Sequence, residues 1–321
     1  VLNGGSVVLG PLAPDRDSLT LKRVSVRIRH DLGKQRIELE QADLGTDDAR
    51  NVGLAISGNL DYARDDPQLS LGLAGTQMSV SALKRLWPSF VAPRVRSWIM
   101  QHVFAGAVER IDVALNVPLS VLPANGLPMA DDGLAVDVAI TGGALRPVDG
   151  LPLIRDADVT AHVTGRTATV KLGKGTVDIS PGRKLIASNA VFEIPEMHLD
   201  APPARVRFRL EGPVAATAEL LNNEKLRDFA GGTFLDPATS RGSVTAQIAL
   251  SLPLAREVPK ASVNYNINLD LANFSAERML LGQKVESALL KVTATNQNYQ
   301  IKGDVKINGT IAQLEYRRVA G

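Results

Sequence analysis

The sequence predicts a mainly β protein, built from repeated antiparallel hairpins with two or three short amphipathic helices. Three observations carry this. Apolar and polar residues alternate with period two in residues 205–210 (RVRFRL), 263–271 (VNYNINLDL) and 157–163 (ADVTAHV), which gives a strand one apolar and one wet face. Three stretches share a strand–turn–strand layout. Helical spacing is confined to a few short segments.

The hairpins come first. Residues 25–45 (SVRIRHDLGKQRIELEQADLG) turn around 31–34, residues 158–178 (DVTAHVTGRTATVKLGKGTVD) around 164–167, and residues 288–309 (ALLKVTATNQNYQIKGDVKING) around 295–298. Polar and glycine residues at the turns are hairpin signals. Their recurrence suggests a loose internal repeat, as in an extended array. Alternation then assigns faces. Val24, Val26 and Ile28 oppose Ser25, Arg27 and Arg29, and Val206, Phe208 and Leu210 oppose Arg205, Arg207 and Arg209.

The helices are fewer. Pro93 suits a first helical turn, and Val95, Trp98, Ile99 and His102 follow at i, i+3, i+4, i+7, with Gly106 as a stop. A second helix fits residues 215–232 and closes on Gly231 and Gly232. A short third fits residues 275–282 (SAERMLLG), with Ser275 as N-cap. Gly, Pro and Asp concentrate in 118–133 and 231–242, which read as loops, the first being the best soft boundary within one continuous segment 1–321.

Composition limits the function. Aromatics are only 4% of the 321 residues, so burial must come from aliphatic side chains. A net charge of +2, with both signs mixed along the chain, lacks the concentrated basic face that nucleic-acid binding needs. Without cysteine, disulfides and thiolate metal sites are excluded. No window approaches the ~18 consecutive apolar residues of a membrane span. The chain opens on Val1, in residues that already read as strand and turn, so we expect a piece of a longer polypeptide.

Chemistry-bearing patterns are weak. No GxSxG elbow is present, and the four histidines (30, 102, 162, 198) form no HxH or HExxH spacing. His162 and Asp158 share a strand face but lie about 13 Å apart along it, too far for a hydrogen bond. His102 reads as a packed histidine. LGKGT (172–176) lacks the helix that a phosphate loop leads into, and reads as a hairpin turn. The Arg205, Arg207 and Arg209 stripe reads as a strand's wet face. No enzyme, cofactor or metal site is expected. What remains is one-sided aliphatic sheet with little helix to cover it. Such a sheet closes on itself as a sandwich or barrel, or stays open and shelters something apolar. Periodicity leaves both open.

Residues 83–108 (LKRLWPSFVAPRVRSWIMQHVFAGAV) hold both tryptophans. With 109–115 they resemble the L-x-x-x-W-P…R-x-W-(I/L)…G-x-(V/I)…A-x-L signature of the AsmA-like C-terminal region of YhdP-type envelope proteins, relatives of TamB. The matching residues are Leu83, Trp87, Pro88, Arg96, Trp98, Ile99, Gly106, Val108, Ala114 and Leu115. Residues 203–221 and 270–316 are similar to later parts of the same region. The resemblance implies an elongated, curved antiparallel sheet, a groove or taco-like trough. It implies a periplasmic segment of a Gram-negative envelope protein, held at the inner membrane by a segment outside this chain, that carries phospholipid or another acyl lipid between membranes. Unknown envelope proteins would be further partners. The groove-facing set is then Val24, Val26, Ile28, Val159, Val163, Val206, Phe208, Leu210, Val263, Tyr265, Ile267 and Leu269. Trp87, Trp98, Ile99, Met100 and Phe104 would anchor a helix across the end or mouth of the trough, or gate it. The rival expectation is a closed β-sandwich that scaffolds an envelope complex.

Overall fold

The computed structural model describes residues 7–9, 19–46, 53–75, 77–87, 91–122, 128–226, 235–255, 258–280 and 282–319. Among these residues the fold is mainly antiparallel β with three short α-helices. Contacts divide the chain into two compact units. Unit 1 holds Val1–Ala144, Asp158–Val170 and Ile194–Leu199; unit 2 holds Leu145–Ala157, Lys171–Glu193 and Asp200–Gly321. The loop 118–133 lies within unit 1.

Unit 1 contains β1 (Val7–Leu9), β2 (Leu19–Asp31), β3 (Arg36–Thr46), β4 (Gly53–Asp61), β5 (Gln68–Gly75), β6 (Met78–Ser79), α1 (Val80–Leu86), α2 (Pro93–His102), β7 (Val103–Pro118) and most of β8 (Leu134–Leu145). Strands β1 to β5 pair in chain order, and β5 and β6 both pair with β7. The turn between β2 and β3 falls where the polar residues 31–34 predict it; Lys34 N donates to Asp31 Oδ1 at 3.0 Å.

Helix α1 is an addition to the predicted set. Ser79 caps it by accepting from Ala82 N at 3.1 Å, a device that satisfies one orphan N–H of the first turn. Its Val80 and Ala82 are buried with Leu54, Met78 and Val108. Helix α2 starts at Pro93 as predicted but stops at His102, and the chain passes directly into β7. Gly106 therefore does not end the helix. It sits inside β7 at φ +143, where a Cβ would lie 2.8 Å from Ile140 Cγ2.

Strands β9 (Leu153–Thr164) and β10 (Ala168–Ser180) give residues to both units, and the 164–167 turn joins them as predicted. Unit 2 continues through β11 (Arg183–Ile194), β12 (Pro203–Pro213), α3 (Val214–Leu221), β13 (Arg241–Pro253), β14 (Asn264–Leu280), β15 (Gln283–Thr295), β16 (Asn298–Ile307) and β17 (Thr310–Val319). From β11 to β17 each strand pairs antiparallel with the next.

Two sequence readings are corrected here. Residues 275–280 are strand, not helix: Ser275 pairs with Glu286 and Ala276 with Val285. Phe274 and Ala276 are buried while Ser275 and Glu277 are not. This is a period of two, and pairing with β15 overrides the helix-favouring composition. LGKGT is not a turn but the middle of β10. There Gly175 admits close packing, since a Cβ would lie 2.6 Å from Ile154 Cγ2 of β9. The second predicted helix survives only as α3; residues 227–232 of that prediction lie outside the described residues.

Left-handed or similarly strained residues punctuate the unit 2 strands: Asn189 in β11, Gly212 in β12, Gly242 in β13, Asn273 in β14 and Gly303 in β16. Pairing registers shift beside Asn189 and Gly242. Such bulges and kinks bend strands and raise their twist.

Candidate functional site

The register stacks the alternating side chains of unit 2 into rows across neighbouring strands. One row runs Leu210, Ala246, Leu269, Val292, Ile301, Tyr316. The next runs Phe208, Ile248, Ile267, Ala294, Tyr299, and a third runs Phe192, Val206, Leu250, Tyr265. These rows form a continuous aliphatic face. The predicted residues Val206, Phe208, Leu210, Tyr265, Ile267 and Leu269 all lie on it; Val263 precedes β14 and its carbonyl accepts from Asn296 Nδ2 at 2.6 Å.

Helix α3 covers one end of this face. Val214 and Ala216 join Val244, Leu271, Phe274 and Leu290 in a single buried cluster. Along β13, β14 and β15 burial falls with distance from α3, whereas on β12 Ala204, at the far end, is again fully buried. Leu271 is buried, and Leu269, Ile267 and Tyr265 are half-buried; Leu290 is buried, and Val292 and Ala294 are half-buried; Val244 and Ala246 are buried, and Ile248 and Leu250 are half-buried. The helix is fastened at its far end by Glu219, which accepts from Arg183 Nη1 at 2.7 Å and Ser180 Oγ at 3.0 Å. The Arg183 hydrogen bond holds the Glu219 carboxyl below its ordinary value, against a smaller opposing effect of burial.

The opposite face is polar. Its central row reads Arg209, Gln247, Asn268, Thr293, Gln300, Arg317. Two arginines of the predicted stripe are paired at home: Arg207 Nη2 lies 3.2 Å from Glu193 Oε1 and Arg209 Nη2 lies 2.7 Å from Glu211 Oε1.

Unit 1 repeats the plan. Val26, Ala42, Ile56, Leu73 and Val113 form one row, and Ile28, Leu39, Leu71 and Leu115 form, with Gly58, the next. Here α1 covers one end, through Val80 and Ala82. Val24 is half-buried, whereas Val26 and Ile28 are exposed. Val159 and Val163 of β9 are half-buried and alternate with exposed Asp158, Thr160 and His162.

The tryptophan-bearing helix packs differently from its spacing. Only His102 is buried, with Arg96, Ile99 and Met100 half-buried, while Val95, Trp98 and Phe104 face outward. Trp98 stacks on His102 at 5.1 Å between ring centroids. Polar contacts hold α2 to α1. Lys84 Nζ donates to the carbonyls of Met100 (3.1 Å) and Val103 at the C-terminal end of α2. Arg96 Nε donates to Trp87 O at 3.0 Å, and Trp87 Nε1 to Val91 O at 2.8 Å. Burial lowers the Lys84 pKa.

The histidines are dispersed. His162 Nδ1 lies 2.7 Å from Asp137 Oδ1 on β8, a cross-strand partner that strand spacing alone could not reveal. Asp158 instead accepts from Gly142 N at 3.3 Å. His30 Nε2 meets the Tyr62 hydroxyl at 2.7 Å, and His198 Nε2 accepts from Met129 N at 3.1 Å. Among the described residues, no group of three or more His, Asp or Glu could hold a metal ion, and no helix is long and apolar enough to cross a membrane.

Fold and surface together define a class: antiparallel β units, each with a one-sided aliphatic face capped at one end by a short helix. No family model, curated protein or solved structure matches the chain.

Proposed function

We propose that this chain is a lipid-binding segment that shelters acyl chains on the aliphatic faces of its sheets, as the AsmA-like resemblance implies for a periplasmic lipid-transfer protein. The observation that carries the reading is the burial gradient in unit 2. The face is sealed under α3 but only half-buried over Val206, Phe208, Ile248, Leu250, Ile267 and Leu269. A sixteen-carbon chain kept from water must hide about 13 kcal/mol of apolar surface at ~0.8 per methylene. A continuous lining can supply that where a single residue cannot. Six strands at ~4.8 Å spacing give rows about 24 Å wide, enough to follow an extended chain. The polar face and its paired arginines stay in water, so head groups need no deep recognition site.

The test is mass spectrometry of organic extracts from gently purified protein, beside a control protein taken through the same preparation. Co-purifying phospholipid near one or more per chain supports the reading. A blank, repeated after incubation with liposomes, overturns it and leaves a self-buried scaffold.

A further inference from the structure

We propose that α2 is a membrane-docking element that seats Trp98 and Val95 in the interface of an anionic bilayer. This goes beyond the lipid-shelter reading and does not rest on it. The first observation is exposure where burial is expected. Trp98 is 41% exposed, Val95 52%, Phe104 48% and Val91 45%. They flank one short helix, so they form a cluster rather than scattered surface residues, and such a cluster on a folded protein marks a contact site.

The second observation is how the helix is held. Its inward side contributes Ile99, Met100 and His102, and its C-terminal carbonyls are tied to Lys84. Arg96 and Trp87 tie its start, through Trp87 O and Val91 O. The anchoring is therefore largely polar, and it leaves the bulky apolar groups facing away. Ala92, just before Pro93, adopts φ 43 and ψ 59, a conformation uncommon for a residue with a Cβ. The entry turn is held against that cost.

The third observation is charge. Residues 67–108 contain no Asp or Glu and four Lys or Arg: Lys84, Arg85, Arg94 and Arg96. Arg94 is exposed one helical turn before Trp98, on the same side of α2. Indole beside guanidinium on a short amphipathic helix suits the boundary of a bilayer, where the ring sits at head-group depth and the cation meets lipid phosphate. An acid-free segment adds attraction to an anionic leaflet.

The test uses the full chain and two vesicle types, phosphatidylcholine alone and phosphatidylcholine mixed with phosphatidylglycerol. A Trp87→Phe background leaves Trp98 as the sole tryptophan; because it also removes the Trp87 Nε1 bond to Val91 O, flotation is read on the unsubstituted chain as well. The expected result is flotation with the anionic vesicles and a blue shift of Trp98 emission, both weakened by salt. Val95→Ser with Trp98→Ser should weaken flotation about tenfold or more while leaving circular dichroism unchanged and lowering the urea midpoint only slightly, through the lost stack of Trp98 on His102. Arg94→Glu should weaken it without altering bound lipid. Equal flotation of the Val95/Trp98 variant and the parent, or unmoved Trp98 emission, overturns the proposal, and α2 is then left as a protein-facing surface. Bound phospholipid is read separately in each variant. Lost docking with retained lipid supports α2 docking alone, and failure of docking in a lipid-loaded parent overturns this proposal without touching the lipid-shelter reading.

Discussion

Replacing Ile248 and Ile267 together by Thr separates an open aliphatic face from a closed core. The two residues are directly paired across β13 and β14 in the central row of unit 2, and both are half-buried. Threonine keeps the β-branch that suits a strand, so the change removes apolar surface with little effect on backbone preference. Fully burying an isoleucine contributes about 1.5–3 kcal/mol. Half of that is about 1 kcal/mol per site, so the pair should cost about 2 kcal/mol, with coupling of some tenths because the residues touch. Leu290→Thr is the contrast. Leu290 is fully buried under α3, so its loss adds a cavity and a stranded hydroxyl, together more than about 4 kcal/mol. Urea midpoints at constant slope give the differences, and extracted phospholipid per chain gives the function. The Ile248/Ile267 variant should stay folded and lose most of its lipid. A loss of stability matching Leu290→Thr, or an unchanged lipid content in a folded variant, refutes the reasoning.

Two further outcomes test the frame that presents this face. Gly242→Ala should destabilise unit 2 by more than about 3 kcal/mol, because φ is +105 and the new Cβ would lie 2.6 Å from both Ala272 O and Asn273 O; Gly182→Ala, at φ +80 with nothing within 4 Å, should cost only about 1 kcal/mol, and equal urea midpoints for the two would contradict the close approach. Glu219 has a folded-state pKa below its ordinary 4.5 through Arg183, so its contribution is present above pH 4.5 and is lost as pH falls through the lowered value; Glu219→Gln should flatten the acid limb of a stability profile, and an unchanged limb would show that the Arg183 contact does not fasten α3.

Much of the sheet was legible because alternation is a local signal. Val206, Phe208 and Leu210, and Tyr265, Ile267 and Leu269, share the face that their spacing predicts. The three turns at 31–34, 164–167 and 295–298 carry residues whose chemistry demands a turn. The failures have physical causes. AERMLL has helix-forming composition, yet Ser275 and Ala276 are claimed by β15, and no local rule reports a partner strand. In LGKGT, Gly175 packs close against β9, which looks like a turn signal until the neighbour is known. In α2 the apolar spacing was real, but the packing side is set by Lys84 and Arg96 reaching carbonyls across a tertiary contact. Helix α1 had one legible cue, Ser79 in capping position ahead of Val80 and Ala82. His162 shows the same limit: its carboxylate, Asp137, is 25 residues away in sequence and on the adjacent strand.

The pairing order of unit 2 also bears on how the chain is made. Among the described pairings from β11 to β17, every strand meets the one synthesised just before it. A segment emerging from the ribosome therefore finds its template already released, and the connections to be closed are short except the one between β12 and β13. Contacts close in sequence favour fast folding, and a strand added each time keeps only one fresh edge exposed to wrong partners. A polypeptide of this kind can be completed from its N-terminal side onward, one hairpin at a time.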